Sequence, residues 1–160
     1  MKIASQTQLY AFAALVVLLD QLTKWAITSN FFYGESLPVT GFFNLVLVHN
    51  TGAAFSFLSD AGGWQRWLFT LLATGVSLFL VAWIWRLEPG QKLLGYAIAL
   101  VLGGALGNLW DRIAYGYVID FLDFYWQRYH FPAFNLADSA ITLGVILLLL
   151  DSLTASRSER

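Results

Sequence analysis

Four stretches of this chain, residues 9–28, 67–85, 93–112 and 132–150, are apolar over about the length a helix needs to cross a bilayer. A chain of 160 residues, 58% hydrophobic and only 12% charged, has too little polar surface to present four such helices to water. Lipid must take that place, and inside lipid each backbone N–H and C=O has to be satisfied within its own helix. The expected fold is therefore an all-α membrane protein of four transmembrane helices with a small β element, forming one domain over residues 1–160.

The β element is expected around residues 39–58. There Pro38 and Gly41 interrupt the chain before the strand-like run Phe42-Phe-Asn-Leu-Val-Leu-Val-His49, and Asn50-Thr-Gly52 marks a turn into Ala53-Ala-Phe-Ser-Phe-Leu58. An open sheet edge cannot lie in hydrocarbon, so this hairpin belongs at the membrane surface or against other helices. Asp60-Ala-Gly-Gly63 reads as a flexible link, and Arg86 to Lys92 as a tight turn between neighbouring spans. The first span runs on through Asp20-Gln-Leu-Thr-Lys24 with no small-residue cleavage site behind it, so it is expected to be retained.

Charged residues inside spans are costly and normally have partners. Asp20 and Lys24 stand at i,i+4 with the acid first, an orientation suited to an ion pair that either neutralises itself at the membrane edge or joins a site. The third span carries Gly95, Ala99, Gly103 and Gly107, a stripe of small residues that lets another helix come close. At its end Asn108, Asp111 and Arg112 share one face, as an interfacial cap with a snorkelling arginine or as part of a polar site. The link from Ile113 to His130 is rich in tyrosine, tryptophan and phenylalanine and suits the headgroup region.

Two carboxylates matter most, Asp120 in that link and Asp138 near the start of the fourth span. Close carboxylates resist joint ionisation, which leaves an acid beside a base: one can take a proton from water while the other protonates a carbonyl oxygen. Asn135-Leu-Ala-Asp138 also has the pattern of a helix N-cap with an acid three residues on, a role compatible with catalysis. Asp123 competes with Asp120 for the second position, and spacing alone leaves that choice open. A serine nucleophile such as Ser56 or Ser139 would need Lys24 as base, which Asp20 should keep charged. Thiolate chemistry is excluded by the lack of cysteine, two histidines (His49 and His130) make no HExxH site, and a net charge of −1 suggests no nucleic acid.

Asp20-Gln-Leu-Thr-Lys24, Asn50-Thr-Gly-Ala-Ala-Phe-Ser-Phe57, Gly103-Gly-Ala-Leu-Gly-Asn-Leu-Trp-Asp-Arg112, Val118-Ile-Asp-Phe121 and Phe131-Pro-Ala-Phe-Asn-Leu-Ala-Asp-Ser-Ala140, in this order, resemble the motifs of the bacterial lipoprotein signal peptidases, the type II signal peptidases. The resemblance spans nearly the whole chain. It implies a four-helix membrane aspartyl endopeptidase with a small extracytoplasmic sheet beside the bundle, acting without a metal or organic cofactor. Its catalytic pair falls on Asp120 and Asp138, leaving Asp123 outside the motif. Asp20, Lys24, Asn50, Gly52, Asn108, Asp111, Arg112, Asn135 and Ala137 match positions expected to shape the site or hold substrate. The implied substrates are prolipoproteins, cut before a diacylglyceryl-modified cysteine whose acyl chains stay among the membrane lipids, and the implied inhibitor is globomycin.

Four spans put both termini on one side. Lys2, Arg86, Lys92, Arg157 and Arg160 then face Lys24, Arg66, Arg112 and Arg128 across the membrane, and three of the latter four sit at span ends where they can be paired. This points to cytoplasmic termini and an extracytoplasmic site, in what the resemblance implies is a bacterial inner membrane. A small proton-coupled carrier is the competing reading, since intramembrane acids mark such pathways, but a relay would spread its acids through the membrane depth. A single copy suffices for the site, although the glycine stripe could also serve a second one.

Overall fold

The computed structural model describes residues 5–52, 64–88 and 90–158, with side chains described as far as Thr154. Four long helices, α1 (Gln6–Asn30), α2 (Trp64–Trp85), α3 (Lys92–Ala114) and α4 (Leu136–Ser158), are joined by four strands, β1 (Ser36–Thr40), β2 (Phe43–Asn50), β3 (Val118–Trp126) and β4 (Tyr129–His130). All four helices are long and apolar enough to cross a membrane. Their outer faces carry bare leucine, phenylalanine and tryptophan, among them Leu71, Leu78, Phe79 and Leu149, as lipid-facing helices do.

α3 is the axis of the bundle and contacts each of the other three helices. Its small-residue stripe explains this. A Cβ added at Gly103 would lie 2.6 Å from Val16 Cβ and 2.8 Å from the Ala13 carbonyl oxygen, and one at Gly107 would lie 2.6 Å from Asp20 Oδ2. The stripe that could have served a second copy is therefore covered by α1 of the same chain. On the other flank Gly104 sits against the Ala137 carbonyl oxygen, and Gly144 of α4 against the Ala97 carbonyl oxygen at 2.7 Å from its added Cβ. Glycine at these points lets the backbones of α3 and α4 approach without an intervening side chain. Leu9, Ala13, Leu80, Ile84, Ile98, Ala99 and Leu102 close the rest of the bundle core.

The sheet lies at one end of the bundle, because the chain enters it from the C-termini of α1 and α3 and leaves it for the N-termini of α2 and α4. Its order is β1-β2-β3-β4, with antiparallel pairs throughout. Pro38 fits within β1 because that strand is the edge. β2 pairs with β1 before it and β3 after α3. The aromatic link expected to lie among headgroups is thus largely strand, its alternate residues Ile119 and Phe121 buried with Leu47 and Ile27 under the sheet. Residues 53–63, including the expected second arm of a hairpin and the glycine link, lie outside the described residues. α4 begins at Leu136, four residues past the expected start, because Phe134 is bridged to Leu122 and keeps residues 131–135 extended against β3.

One irregularity positions the site. The β2–β3 register shifts between the pairs Leu45/Leu122 and Val48/Asp120, and the N–H groups of Phe121 and Leu122 both donate to the Phe134 carbonyl oxygen, at 3.0 and 2.8 Å. Strict alternation would send Asp120 and Asp123, three residues apart, to opposite faces. The slip brings both to the side of the asparagines at alternate positions of β2: Asn50 meets Asp120, and Asn44 meets Asp123.

Candidate active site

Asp120 and Asp138 are joined through two asparagines. Asn135 Nδ2 donates to Asp120 Oδ1 at 2.8 Å and to Asn108 Oδ1 at 3.1 Å, while Asn108 Nδ2 donates to Asp138 Oδ1 at 2.7 Å. Asn50 Nδ2 donates to the other oxygen of Asp120 at 3.0 Å. Asp138 also completes a capping box: its N–H donates to Asn135 Oδ1 at 2.9 Å, and its Oδ2 accepts the Asn135 N–H at 3.3 Å. The cap expected from Asn135-Leu-Ala-Asp138 and the site are one arrangement, since the cap holds the carboxylate in place.

Burial pushes the Asp120 carboxyl up from the ordinary aspartate value to about 7. The charge of Asp138 adds to the rise, and the hydrogen bonds from Asn50 and Asn135 and the charge of Lys24 oppose it. Asp123 stands apart. It accepts from Asn44 Nδ2 at 2.8 Å and pairs with His130 Nδ1 at 2.9 Å, so the competitor left open by spacing belongs to a different cluster.

Behind the pair lies a buried ionic cluster. Lys24 Nζ is 2.8 Å from Asp20 Oδ2, 2.8 Å from Asp111 Oδ2 and 3.1 Å from Asn108 Oδ1. Lys24 is 1% exposed and both aspartates 0%. The Asp20/Lys24 pair therefore does more than neutralise itself. With Lys24 and Asn135 both donating to Asn108 Oδ1, the Asn108 amide can only turn its Nδ2 toward Asp138. Asp20 Oδ1 accepts the Ala137 N–H at 3.0 Å and Asp111 Oδ2 the Ile119 N–H at 3.1 Å, so this cluster anchors the starts of both α4 and β3. Ala137 is fully buried, its carbonyl oxygen against Gly104 and its Cβ facing Gly107, whose own added Cβ would lie 3.4 Å away.

An apolar cleft of about 620 Å³ opens beside Asp138, lined by Asn50, Gly52, Asn108 and Arg112 on its polar side and by Phe131, Phe134, Ile141, Leu143 and Ile146 on its apolar side. Leu143 and Ile146 are about half exposed on the outer face of α4, so the cleft continues toward lipid. Gly52 is turned in by its N–H donating to Asn50 Oδ1 at 3.0 Å. The Arg112 guanidinium lies over the Phe69 ring and donates to the Asn108 and Gly52 carbonyls at 3.3 and 3.4 Å. Snorkelling to water does not describe it: it faces the cleft and the carboxylates. Among the described residues no group of three or more histidine, aspartate or glutamate side chains is arranged to hold a metal ion.

Asp20, Lys24, Asn50, Gly52, Asn108, Asp111, Arg112, Asn135 and Ala137 fall with Asp120 and Asp138 in this site or the cluster behind it, whereas Asp123 does not and Ser56 lies outside the described residues. Two others were missed. Gln21 Nε2 donates to Asp20 Oδ2, to the Gly107 carbonyl and to Asp111 Oδ1, at 3.1, 3.2 and 2.9 Å, tying α1 to α3. A polar side chain beside two charged ones in a span was the available signal. Arg66, counted only as a loop charge, donates to the Arg112 and Ile113 carbonyls, both at 3.0 Å, and so caps α3 from α2; Gly116, at φ 87°, gives its guanidinium room. No local pattern announced that contact.

A family model described as signal peptidase (SPase) II matches residues 12–154. The chain is 63% identical over 149 residues to a lipoprotein signal peptidase of Cupriavidus taiwanensis, covering 93% of this chain and 84% of that one. It is 58% identical over 140 residues to a lipoprotein signal peptidase of Acinetobacter baumannii, covering 88% and 80%. Among solved structures it resembles a bacterial membrane enzyme determined by the in meso method at 2.3 Å resolution, with a TM-score of 0.86 and 33% identity, covering 96% of this chain and 92% of that one.

Proposed function

The chain belongs to the signal peptidase II family, and from that premise we propose that it is an aspartyl endopeptidase that removes the signal peptide from diacylglyceryl-modified prolipoproteins, with Asp120 and Asp138 as the catalytic pair. The observation that carries this reading is the asparagine-bridged pair of carboxyls, one of which, Asp138, lines an apolar cleft while the other, Asp120, is buried beside it. A signal peptide is itself an apolar helix and a diacylglyceryl group is lipid. A cleft open to lipid along α4 admits both without drawing either into water.

In the resting pair Asp120 holds the proton, consistent with its burial and with the charge of Asp138 nearby, and Asp138 acts as the base. Asp138 takes a proton from water as the oxygen attacks the scissile carbonyl, and Asp120 gives its proton to the carbonyl oxygen. The diol intermediate then returns a hydroxyl proton to Asp120 as the C–N bond breaks, and Asp138 delivers its proton to the leaving amine. Both carboxyls end as they began. Arg112, Asn50 and Gly52 line the cleft where the substrate backbone would lie, and a globomycin-type inhibitor would lodge a polar group between the aspartates.

The same reading places the chain in a bacterial inner membrane with cytoplasmic termini and the site outside. Of the basic residues opposing that topology, Lys24 is consumed by the buried cluster, and Arg66 and Arg112 by the end of α3. Only Arg128 is left to count against the five on the terminal side.

The test is cleavage of a lipid-modified prolipoprotein by the purified protein in detergent. Asp120→Asn and Asp138→Asn should each lose at least a thousandfold in kcat while keeping the wild-type circular dichroism spectrum, and Asp151→Asn, at the far end of α4, should cut normally. Turnover near the wild-type rate by either of the first two would remove the pair from the mechanism.

A further inference from the structure

A second, smaller cavity of about 400 Å³ lies on the same side of the sheet as the carboxylate pair, lined by Val46, Val48, Asp123, His130 and the segment Phe131-Pro132-Ala133. That segment also lines the larger cleft, so the two spaces are neighbours with a common wall. Val48, in the wall of the smaller one, is the cross-strand partner of Asp120. From the catalytic pair, Asp123 is three residues farther along β3, about 10 Å at the rise of an extended strand.

The polar end of this cavity is built. Asp123 is 6% exposed, and its carboxylate accepts from Asn44 Nδ2 at 2.8 Å and engages His130 Nδ1 at 2.9 Å through each oxygen. The His130 ring is stacked on Tyr125 at 5.1 Å, while its side chain stays 53% exposed. Its Nε2 has no hydrogen-bond partner among the described residues, and Asp123 and His130 are the only described lining residues able to carry charge. Nothing in the proposed chemistry uses them. The remainder of the wall is valine, proline, alanine and phenylalanine.

We infer that this cavity is a specificity subsite for the polypeptide on the carboxyl side of the cleaved bond, and that it selects a long side chain with an apolar stem and a cationic tip, lysine above all. The inference rests on the peptidase reading. A substrate whose signal helix and acyl chains occupy the lipid-facing cleft must leave the catalytic pair in the other direction, along β3 and away from the end of α3. An extended chain covers about 10 Å in three residues, which brings the second to fourth residues, counting the lipidated cysteine as the first, over Val48 and Val46. The valines and Pro132 would cover the methylene stem, and the Asp123 carboxylate with Nε2 of His130 would meet the ammonium group.

The experiment uses lipid-modified peptide substrates carrying lysine or the uncharged isostere norleucine at the second, third or fourth position, and reads the ratio of kcat/KM for each lysine/norleucine pair. With the wild-type protein the ratio should reach about tenfold at one of the three positions, the size expected of one charge-assisted hydrogen bond. In Asp123→Asn and in His130→Ala that ratio should fall toward one, through a rise in KM for the lysine substrate. Because each ratio is taken within one variant, general losses of activity cancel, and the half-exposed His130 gives a readable variant even if Asp123→Asn folds poorly. A wild-type ratio near one at all three positions, or a preference that survives in His130→Ala, overturns the subsite. Failure of the wild type to cut either substrate would instead sink the peptidase reading.

Discussion

Replacing Lys24 with methionine keeps the length and apolar stem of the side chain and removes one charge from a place with no access to water. The Nζ group lies 2.8 Å from an oxygen of each of two fully buried aspartates, Asp20 and Asp111, and 3.1 Å from Asn108 Oδ1. Removing one partner of a buried ion pair costs about 3–5 kcal/mol, because the charge left behind is neither paired nor solvated. Here two carboxylates are stranded together, which argues for the upper half of that range. For a chain of this size about 4 kcal/mol corresponds to a fall of roughly 10 °C in melting temperature. The assay is thermal unfolding in detergent near neutral pH, with the triple variant Asp20→Asn/Lys24→Met/Asp111→Asn alongside. Neutralising all three should recover at least half the loss, since the amides still accept from Ala137 and Ile119 and no charge remains buried. The reasoning is refuted if Lys24→Met melts within about 2 °C of wild type, or if the triple variant is no more stable than the single one.

Three further outcomes follow from the geometry. With the Asp120 carboxyl at about 7 and its proton required for catalysis, kcat/KM should fall as pH rises through about 7; a rate that keeps climbing to pH 9 would assign the proton elsewhere. The folded protein keeps that proton up to about pH 7 while an unfolded aspartate releases it near 3.8, so stability drains away as pH rises between these values, by at most about 4 kcal/mol. Asp120→Asn, though inactive, should therefore melt above wild type at pH 8, with the difference shrinking toward pH 4; an equal difference at both pH values would contradict this. Gly104→Ala drives a methyl group onto the Ala137 carbonyl oxygen and should cost about 1–3 kcal/mol and most of the activity, because the next residue is Asp138. Gly75→Ala, whose Cβ would meet nothing within 4 Å, should leave both melting temperature and turnover near wild type.

The helices were legible because a span announces itself by composition, and the ends of α1, α2 and α3 fall within about three residues of the expected ones. The start of α4 was not, because Phe131 to Asn135 is as apolar as a helix yet is held extended by the Phe134 bridge to Leu122. The sheet was half legible. The alternation of β2 could be read, but its partners could not, since pairing with Ser36–Thr40 and with Val118–Trp126 depends on contacts distant in sequence. The aromatic content of β3 suited headgroups and strand equally well.

The candidate site divides in the same way. Asp138 with its Asn135 cap is a local pattern, written within four residues and realised as such, and the i,i+4 pair of Asp20 and Lys24 needs only one helix. Sequence by itself thus determined that this is a four-helix membrane chain with costly acids concentrated toward one end of the bundle. Spacing left open which acid stands with Asp138, and only the resemblance pointed to Asp120; how the two are brought together was decided by the tertiary structure alone. The slip in the β2–β3 register carries Asp120 toward Asn50 and Asn135 and gives Asp123 to Asn44 and His130. The physical reason is that a strand's facing depends on a one-residue shift against its neighbour, and such a shift leaves no mark in the composition of either strand.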